Sequence, residues 1–322
     1  MNFILAPLRG VTIRCFRETF AAELRAAGFV EAVTPFIAAM PGVDPLGDRE
    51  LKSTTAHCSL PTAHCSLPTA HCSLPTVHCS LFTVHCSLLP VTPQFISKDP
   101  GAFRDCLLRV RDAGYATADL NCGCPFPMVR NKGRGSGLLR TPGVLRRLLE
   151  VGCETMGPGK FSVKTRLGVE RPDELLGLMP LFNEFPLRFL AVHARTAKQM
   201  YEGRCDAEAF ARVAAAARVP VVPNGDLTLA AAPDGAMIGR DFVRSLGARP
   251  DAAELLSRYV AASEAELCGD RPVLGRVKEL VSYWKDLPAW RRRWDVLKLC
   301  RSLAELRSLG LAPSCPPDRI VP

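Results

Sequence analysis

Long apolar runs are missing from this 322-residue chain. Nowhere does it approach the ~18 consecutive apolar residues of a bilayer-spanning helix, so no such helix is expected. Met1 to Thr12 is too short in its apolar part for a secretory leader. The fourteen cysteines are therefore expected to be reduced thiols in a cytoplasmic protein. Aromatic residues are sparse, at 7%, with only three tryptophans. What the chain does have is 48% hydrophobic residues, enough for one large or two small cores, and a net charge of +9 that suits a polyanionic partner.

Five cysteines and five of the six histidines fall within residues 55–89, which read TAHCSLP three times, then TVHCSLF and TVHCSLL. Pro61, Pro68 and Pro75 exclude a coiled coil, and a seven-residue unit is too short for a solenoid. Adjacent His-Cys pairs supply soft-metal ligands, but zinc sites favour C-x-x-C or H-x-x-x-H spacings. No metal is expected, and the segment reads as a duplicated surface loop, which costs little to lengthen. His193 is the one histidine outside it.

Elsewhere apolar strand-like runs alternate with amphipathic stretches. Strands are expected at 3–7, 29–36, 91–96, 116–121, 161–168, 189–195, 219–226 and 235–240. Helices are expected at 15–27, 103–113, 144–151, 172–184 and 207–217. Largely apolar strands alternating with helices imply a parallel sheet covered by helices, and this number fits an α/β (β/α)8 TIM barrel over 1–240, with 55–89 inserted. Residues 241–322 are expected to form an all-helical domain. Gln94, Asn121, Lys164, His193, Asn224 and Arg240 sit toward the C-terminal ends of the strands, which converge on one face of such a barrel. Only Leu227 to Asp234 separate NGD from GAMIGR, and Pro233 is among them, so no full helix fits there. Between Arg271 and Arg307 ten Lys or Arg face four acids, with Trp284, Trp290 and Trp294 beside Arg291, Arg292 and Arg293. That composition suits contact with a nucleic-acid backbone and stacking on its bases. It equally suits a helical bundle with core tryptophans.

The segment DLNCGCPFPMVRNKGRGSGLL (119–139) resembles the signature of the tRNA-dihydrouridine synthases. APLRGVT (6–12), PQFISKDP, VKTRLG, HARTAKQMYEG, NGD (224–226) and MIGR (237–240) follow that family's order, and KELVSYW agrees more loosely. Leu8 stands where the family has Met, and DFVRSLGARP lacks its glycine-rich continuation, which alters the phosphate side.

The resemblance implies a monomeric enzyme that reduces uridine in tRNA to 5,6-dihydrouridine, with FMN recharged by NADPH or NADH. Hydride would go to C6, and Cys124 would protonate C5. Ala6, Pro7 and Leu8 would pack on the flavin, and Gln94 would bond its pyrimidine edge. Lys164 would stabilise charge near N1–O2, and His193 would touch the flavin or its phosphate arm. Asn224, Gly225, Asp226, Gly239 and Arg240 would form the phosphate end. Asn121 and Arg195 would read the uracil edge. Arg130, Lys132 and Arg134 would give the tRNA a cationic lip, in a Phe126–Leu148 segment with six basic residues and no acid. A flavin barrel reductase of a small pyrimidine-like molecule and an inactive RNA-binding relative are the alternatives.

Overall fold

The structure, a computed structural model, describes residues 1–51 and 88–311. The heptad repeat lies outside the described residues except for Leu88 and Leu89. Among the described residues ten parallel strands form one sheet. They are β1 (Phe3–Leu5), β2 (Phe29–Val33), β3 (Ile37–Ala38), β4 (Val91–Thr92), β5 (Gln94–Ile96), β6 (Ala118–Cys122), β7 (Phe161–Gly168), β8 (Leu190–Thr196), β9 (Val221–Asn224) and β10 (Met237–Ile238).

Two of the eight expected strands are broken by prolines, which cannot donate to a ladder. Pro35 lies between β2 and β3, and Pro93 between β4 and β5. At the break the Gln94 amide donates instead to Thr34 Oγ1, at 3.0 Å. β2 pairs with β4 and β3 with β5, so each broken pair occupies one position in the sheet. β10 pairs with β1, and β5 pairs with β6, so the eight positions close into a ring. This is the expected barrel.

The helices that cover it are α1 (Arg14–Thr19), α2 (Ala21–Ala26), α3 (Pro100–Asp112), α4 (Pro127–Arg130), α5 (Pro142–Met156), α6 (Glu174–Phe182), α7 (Ala207–Ala216) and α8 (Arg240–Ala248). Pro at the first position and Asp99 accepting from the amides of Gly101 and Ala102 start α3. The single helix expected at 15–27 is instead two. Phe20 leaves helical geometry (φ −107°, ψ 25°), and its buried ring stacks on Tyr259 at 5.6 Å and meets Phe16 at 4.8 Å. Aromatic burial outweighs one unbroken helical ladder here. As expected, residues 225–236 hold no helix.

The last segment is helical: α9 (Ala252–Glu266), α10 (Asp270–Ser282), α11 (Pro288–Leu297) and α12 (Leu303–Ser308). Its apolar faces join α1, β1, β2 and α8 in one buried cluster that includes Phe16, Phe242, Tyr259, Trp284 and Trp290. Trp284 and Trp290 donate their indole N–H to Val243 O (2.6 Å) and Gly247 O (2.8 Å) on α8. Their rings lie 4.7 Å apart. Of the two readings of the tryptophans, base stacking is therefore excluded for these two, which are core. A second cluster lies under α3, α5, α6 and α7. Inside the barrel Glu31 takes a bidentate ion pair from Arg188, both contacts at 2.6 Å.

Candidate active site

Strand register decides which polar side chains meet. Gln94 pairs with Asp119, Asn121 with Lys164, Arg166 with His193, and His193 with Asn224. At the C-terminal ends of these strands a cavity of about 560 Å³ opens, within the usual size range of cofactor sites. Ala6, Pro7 and Leu8, just beyond β1, border it, as do Gln94, Asn121 and Cys124. Lys164 and His193 border it from β7 and β8; Asn224 ends β9 with Gly225 and Asp226 just beyond it, and Gly239 and Arg240 follow β10. Thirteen of the residues expected at a site thus share one cavity, drawn from seven of the eight strand positions.

Cys124 sits on a tightly held turn. Its amide donates to Asn121 Oδ1 at 2.9 Å, and its carbonyl accepts from the Ser136 hydroxyl at 2.9 Å. Gly135, at φ +57°, lies so close that a Cβ there would come within 2.8 Å of Cys124 Cβ. Burial pushes the Cys124 thiol above its ordinary pKa, opposed by the Phe126 amide, Arg9 and Arg166. The sulfur therefore keeps its proton at neutral pH and can act as an acid.

Lys164 Nζ donates to Asn224 Oδ1 at 2.8 Å, and Asn224 Nδ2 donates to Met237 O at 2.7 Å. Burial, then the nearby Arg166 charge, lowers the Lys164 ammonium to about 8. His193 is held far below its usual range by burial and by Lys164, Arg166, Arg195 and Arg240, so it is neutral. Arg195 Nη1 lies 3.2 Å from His193 Nε2. Because a guanidinium only donates, Nε2 accepts and Nδ1 carries the proton. Gly225, at φ +108°, packs so tightly on that ring that a Cβ would lie 2.4 Å from His193 Cδ2.

Arg195, expected at the uracil edge, does not border the cavity. It is buried behind His193, donating to Glu202 O (3.1 Å), Gly203 O (2.6 Å) and Cys205 Sγ (3.1 Å) and pairing with Asp226. Asp226, at φ +51°, also takes Arg240 at 2.6 Å. Nor do Arg130, Lys132 and Arg134 border it; they follow its wall residue Phe126, on and just after α4. None of the three has an ion-pair partner among the described residues, whereas Arg140 and Arg146 are tied to Glu170 and Glu184.

Arg166 and Tyr201 are among the wall residues that were not foreseen. Arg166 donates to Gly123 O at 3.0 Å and Met200 O at 2.6 Å, and its guanidinium lies 5.3 Å from the Tyr201 ring, with Arg240 5.2 Å from the same ring. Both lie inside segments already singled out, VKTRLG and HARTAKQMYEG, and their position two and eight residues past Lys164 and His193 was the available signal.

The family described as "Dihydrouridine synthase (Dus)" matches residues 71–240. A "Probable tRNA-dihydrouridine synthase" of Helicobacter pylori is 35% identical over 139 residues, 39% of this chain and 42% of that protein. One of Rhodobacter capsulatus is 33% identical over 147 residues, 44% of each chain. The "tRNA-dihydrouridine synthase B" of Vibrio cholerae is 30% identical over 135 residues, 42% of each. The matched part thus spans about two fifths of the length of these relatives. Among solved structures, morphinone reductase superposes with a TM-score of 0.48 at 11% identity, covering 75% of this chain and 82% of that one. With the family's pattern matching more than half of its length, across the segments that build the cavity from Gln94 to Arg240, the chain belongs to the dihydrouridine synthase family.

Proposed function

We propose that the protein reduces uridine in tRNA to 5,6-dihydrouridine, with FMN as cofactor and NADPH or NADH as reductant. The observation that carries this reading is the proton-bearing Cys124 thiol in the same cavity as the Lys164 ammonium and the α8 N-terminus. The cavity's chemistry suits a flavin nucleotide. Ala6, Pro7, Leu8, Met237 and Ile238 offer apolar surface for a ring system. The Gln94 amide and Lys164 suit its polar edge, and Arg240 with the first amides of α8 suits a phosphate. When bound, the flavin supplies the hydride that the protein's own side chains cannot.

The chain's residues do the rest. Cys124 delivers a proton to uracil C5 as hydride reaches C6, and Asn121 keeps the cysteine turn in place. Lys164 offers a desolvated positive charge where negative charge gathers during reduction, its Nζ held by Asn224. Neutral His193 donates from Nδ1 without adding charge, with Arg195 fixing its tautomer from behind. Arg130, Lys132 and Arg134, without an ion-pair partner among the described residues, draw the tRNA backbone toward the mouth, so that a uridine turned out of its stack reaches the cavity. This cluster of cations favours a polyanionic substrate over a free pyrimidine.

The test is dihydrouridine formation in undermodified tRNA by the flavin-loaded protein with either nicotinamide. Cys124→Ala should lower the rate by ~100-fold or more, as loss of a general acid does, while flavin stays bound. Undiminished turnover in that variant removes Cys124 from the mechanism, and no product from the wild-type protein removes the reaction itself.

A further inference from the structure

Behind the cavity runs a chain of hydrogen bonds that ends on the cysteine turn. Ser162 Oγ donates to Asp119 Oδ2 at 2.6 Å, and Gln94 Nε2 donates to Asp119 Oδ1 at 2.7 Å. Asn121 Nδ2 donates to Gln94 Oε1 at 2.8 Å. Asn121 Oδ1 then accepts from the amides of Cys124 (2.9 Å) and Gly123 (3.2 Å). Asp119 is fully buried, as is Gln94, and the links cross from β7 to β6 to β5 and back to β6.

The direction of every link follows from its buried end. A primary amide is nearly symmetric in shape, so its own fit does not choose which end is oxygen. A carboxylate only accepts. Gln94 must therefore turn its NH2 toward Asp119, which leaves its oxygen for Asn121. Asn121 must then turn its NH2 toward Gln94, which leaves its oxygen for the Cys124 and Gly123 amides. With the chain reversed, an NH2 would face those two N–H donors and the turn would lose both bonds.

We propose that Asp119 is a positioning residue for the acid: its carboxylate fixes the orientation of two successive amides and so clamps the backbone of Cys124. It does not border the cavity. The functional value of the clamp rests on Cys124 being the proton donor; the clamp itself does not.

Mapped iodoacetamide labelling of the full-length, ligand-free protein tests this. Cys122, two residues from Cys124 and wholly buried, serves as an internal reporter of local folding. In Asp119→Leu, Cys124 should label about tenfold faster, the worth of one hydrogen bond to an ionised group, while Cys122 stays protected. Asp119→Asn should stay within about threefold of wild type, because its amide oxygen still accepts from Gln94 and its NH2 can donate to Ser162 Oγ. Hydrogen exchange at the Cys124 and Gly123 amides should accelerate in Asp119→Leu and not in Asp119→Asn. If Asp119→Leu also exposes Cys122, Gln94→Met breaks the same chain one link later and should free Cys124 selectively.

Wild-type labelling of Cys124 with Cys122 protected, in Asp119→Leu or in Gln94→Met, overturns the proposal. So does loss of protection at both sulfurs in both variants, which makes the network general packing. A protein that forms no dihydrouridine yet labels as expected refutes the enzymatic reading and leaves the clamp standing.

Discussion

Two places in this molecule set arginines against aromatic rings, and they are built in opposite ways. At the barrel mouth Arg166 and Arg240 flank Tyr201; the ring is 45% exposed, and burial lowers the Arg166 pKa. In the helical layer Arg293 lies 5.4 Å from the Trp290 ring, which is 1% exposed beneath an exposed guanidinium. The tryptophan's N–H is satisfied by Gly247 O, and its neighbour Trp284 fills space that a Cβ on Gly247 would invade at 2.3 Å. One arrangement holds charge at a cost in desolvation and leaves an aromatic face open to a visitor. The other spends its aromatic surface on packing. Composition is alike in the two; the partner of each polar atom and the side that is buried distinguish a site from a core.

That contrast can be broken most sharply at the core. Trp284→Ala should cost about 3–5 kcal/mol, read from urea unfolding, whereas Tyr201→Ala should leave stability within ~1 kcal/mol and weaken flavin binding. A comparable loss in both variants erases the distinction. Next comes the cationic lip: replacing Arg130, Lys132 and Arg134 together by Ala should weaken tRNA binding and flatten its log–log salt dependence by about 2–3 units. An unchanged slope would move the polyanion contact elsewhere.

Lys164 offers a third probe. Its folded pKa of about 8 lies below its ordinary 10.5, so its contribution to stability is full above 10.5 and is lost as pH falls toward 8. At pH 7 the buried ammonium is a net cost. Lys164→Met should therefore raise the melting temperature of the ligand-free protein by about 1–2 °C at pH 7, the shift ~1 kcal/mol gives a chain of this size, with little gain above pH 10.5. A lower melting temperature at pH 7 would show that the Asn224 bond outweighs desolvation. The smallest effect is expected at Arg140 and Arg146, whose alanine variants should each change the salt slope by less than about one unit, being already tied to Glu170 and Glu184.

Much of this was legible in the linear chain. Eight strand positions and the polar residue near the end of six of them followed from period and composition, because parallel strands buried on both faces read as apolar runs. Gln94, Lys164, His193 and Asn224 were found that way. Arg195 was misplaced, since residues two apart on a strand point the same way but not to the same depth. It lies behind His193 and tunes it. The prolines that split two strands were visible, but their effect on the ladder was not, because it depends on a Thr34 hydroxyl from the neighbouring strand. Arg166 and Tyr201 escaped because their meeting requires the turn after β8 to fold back over β7.

The sequence by itself determined that the chain alternates strand and helix, which motif carries Cys124, that no helix fits between NGD and GAMIGR, and that cations crowd the segment after Cys124. Those properties are local in the chain, set by period, proline and composition. Tertiary structure alone decided which cations are tied to acids, that Trp284 and Trp290 are core, and that Asp119 reaches Cys124 through two amides. Each of those depends on which distant group lies within about 3 Å of a polar atom, and on whether water can take that group's place.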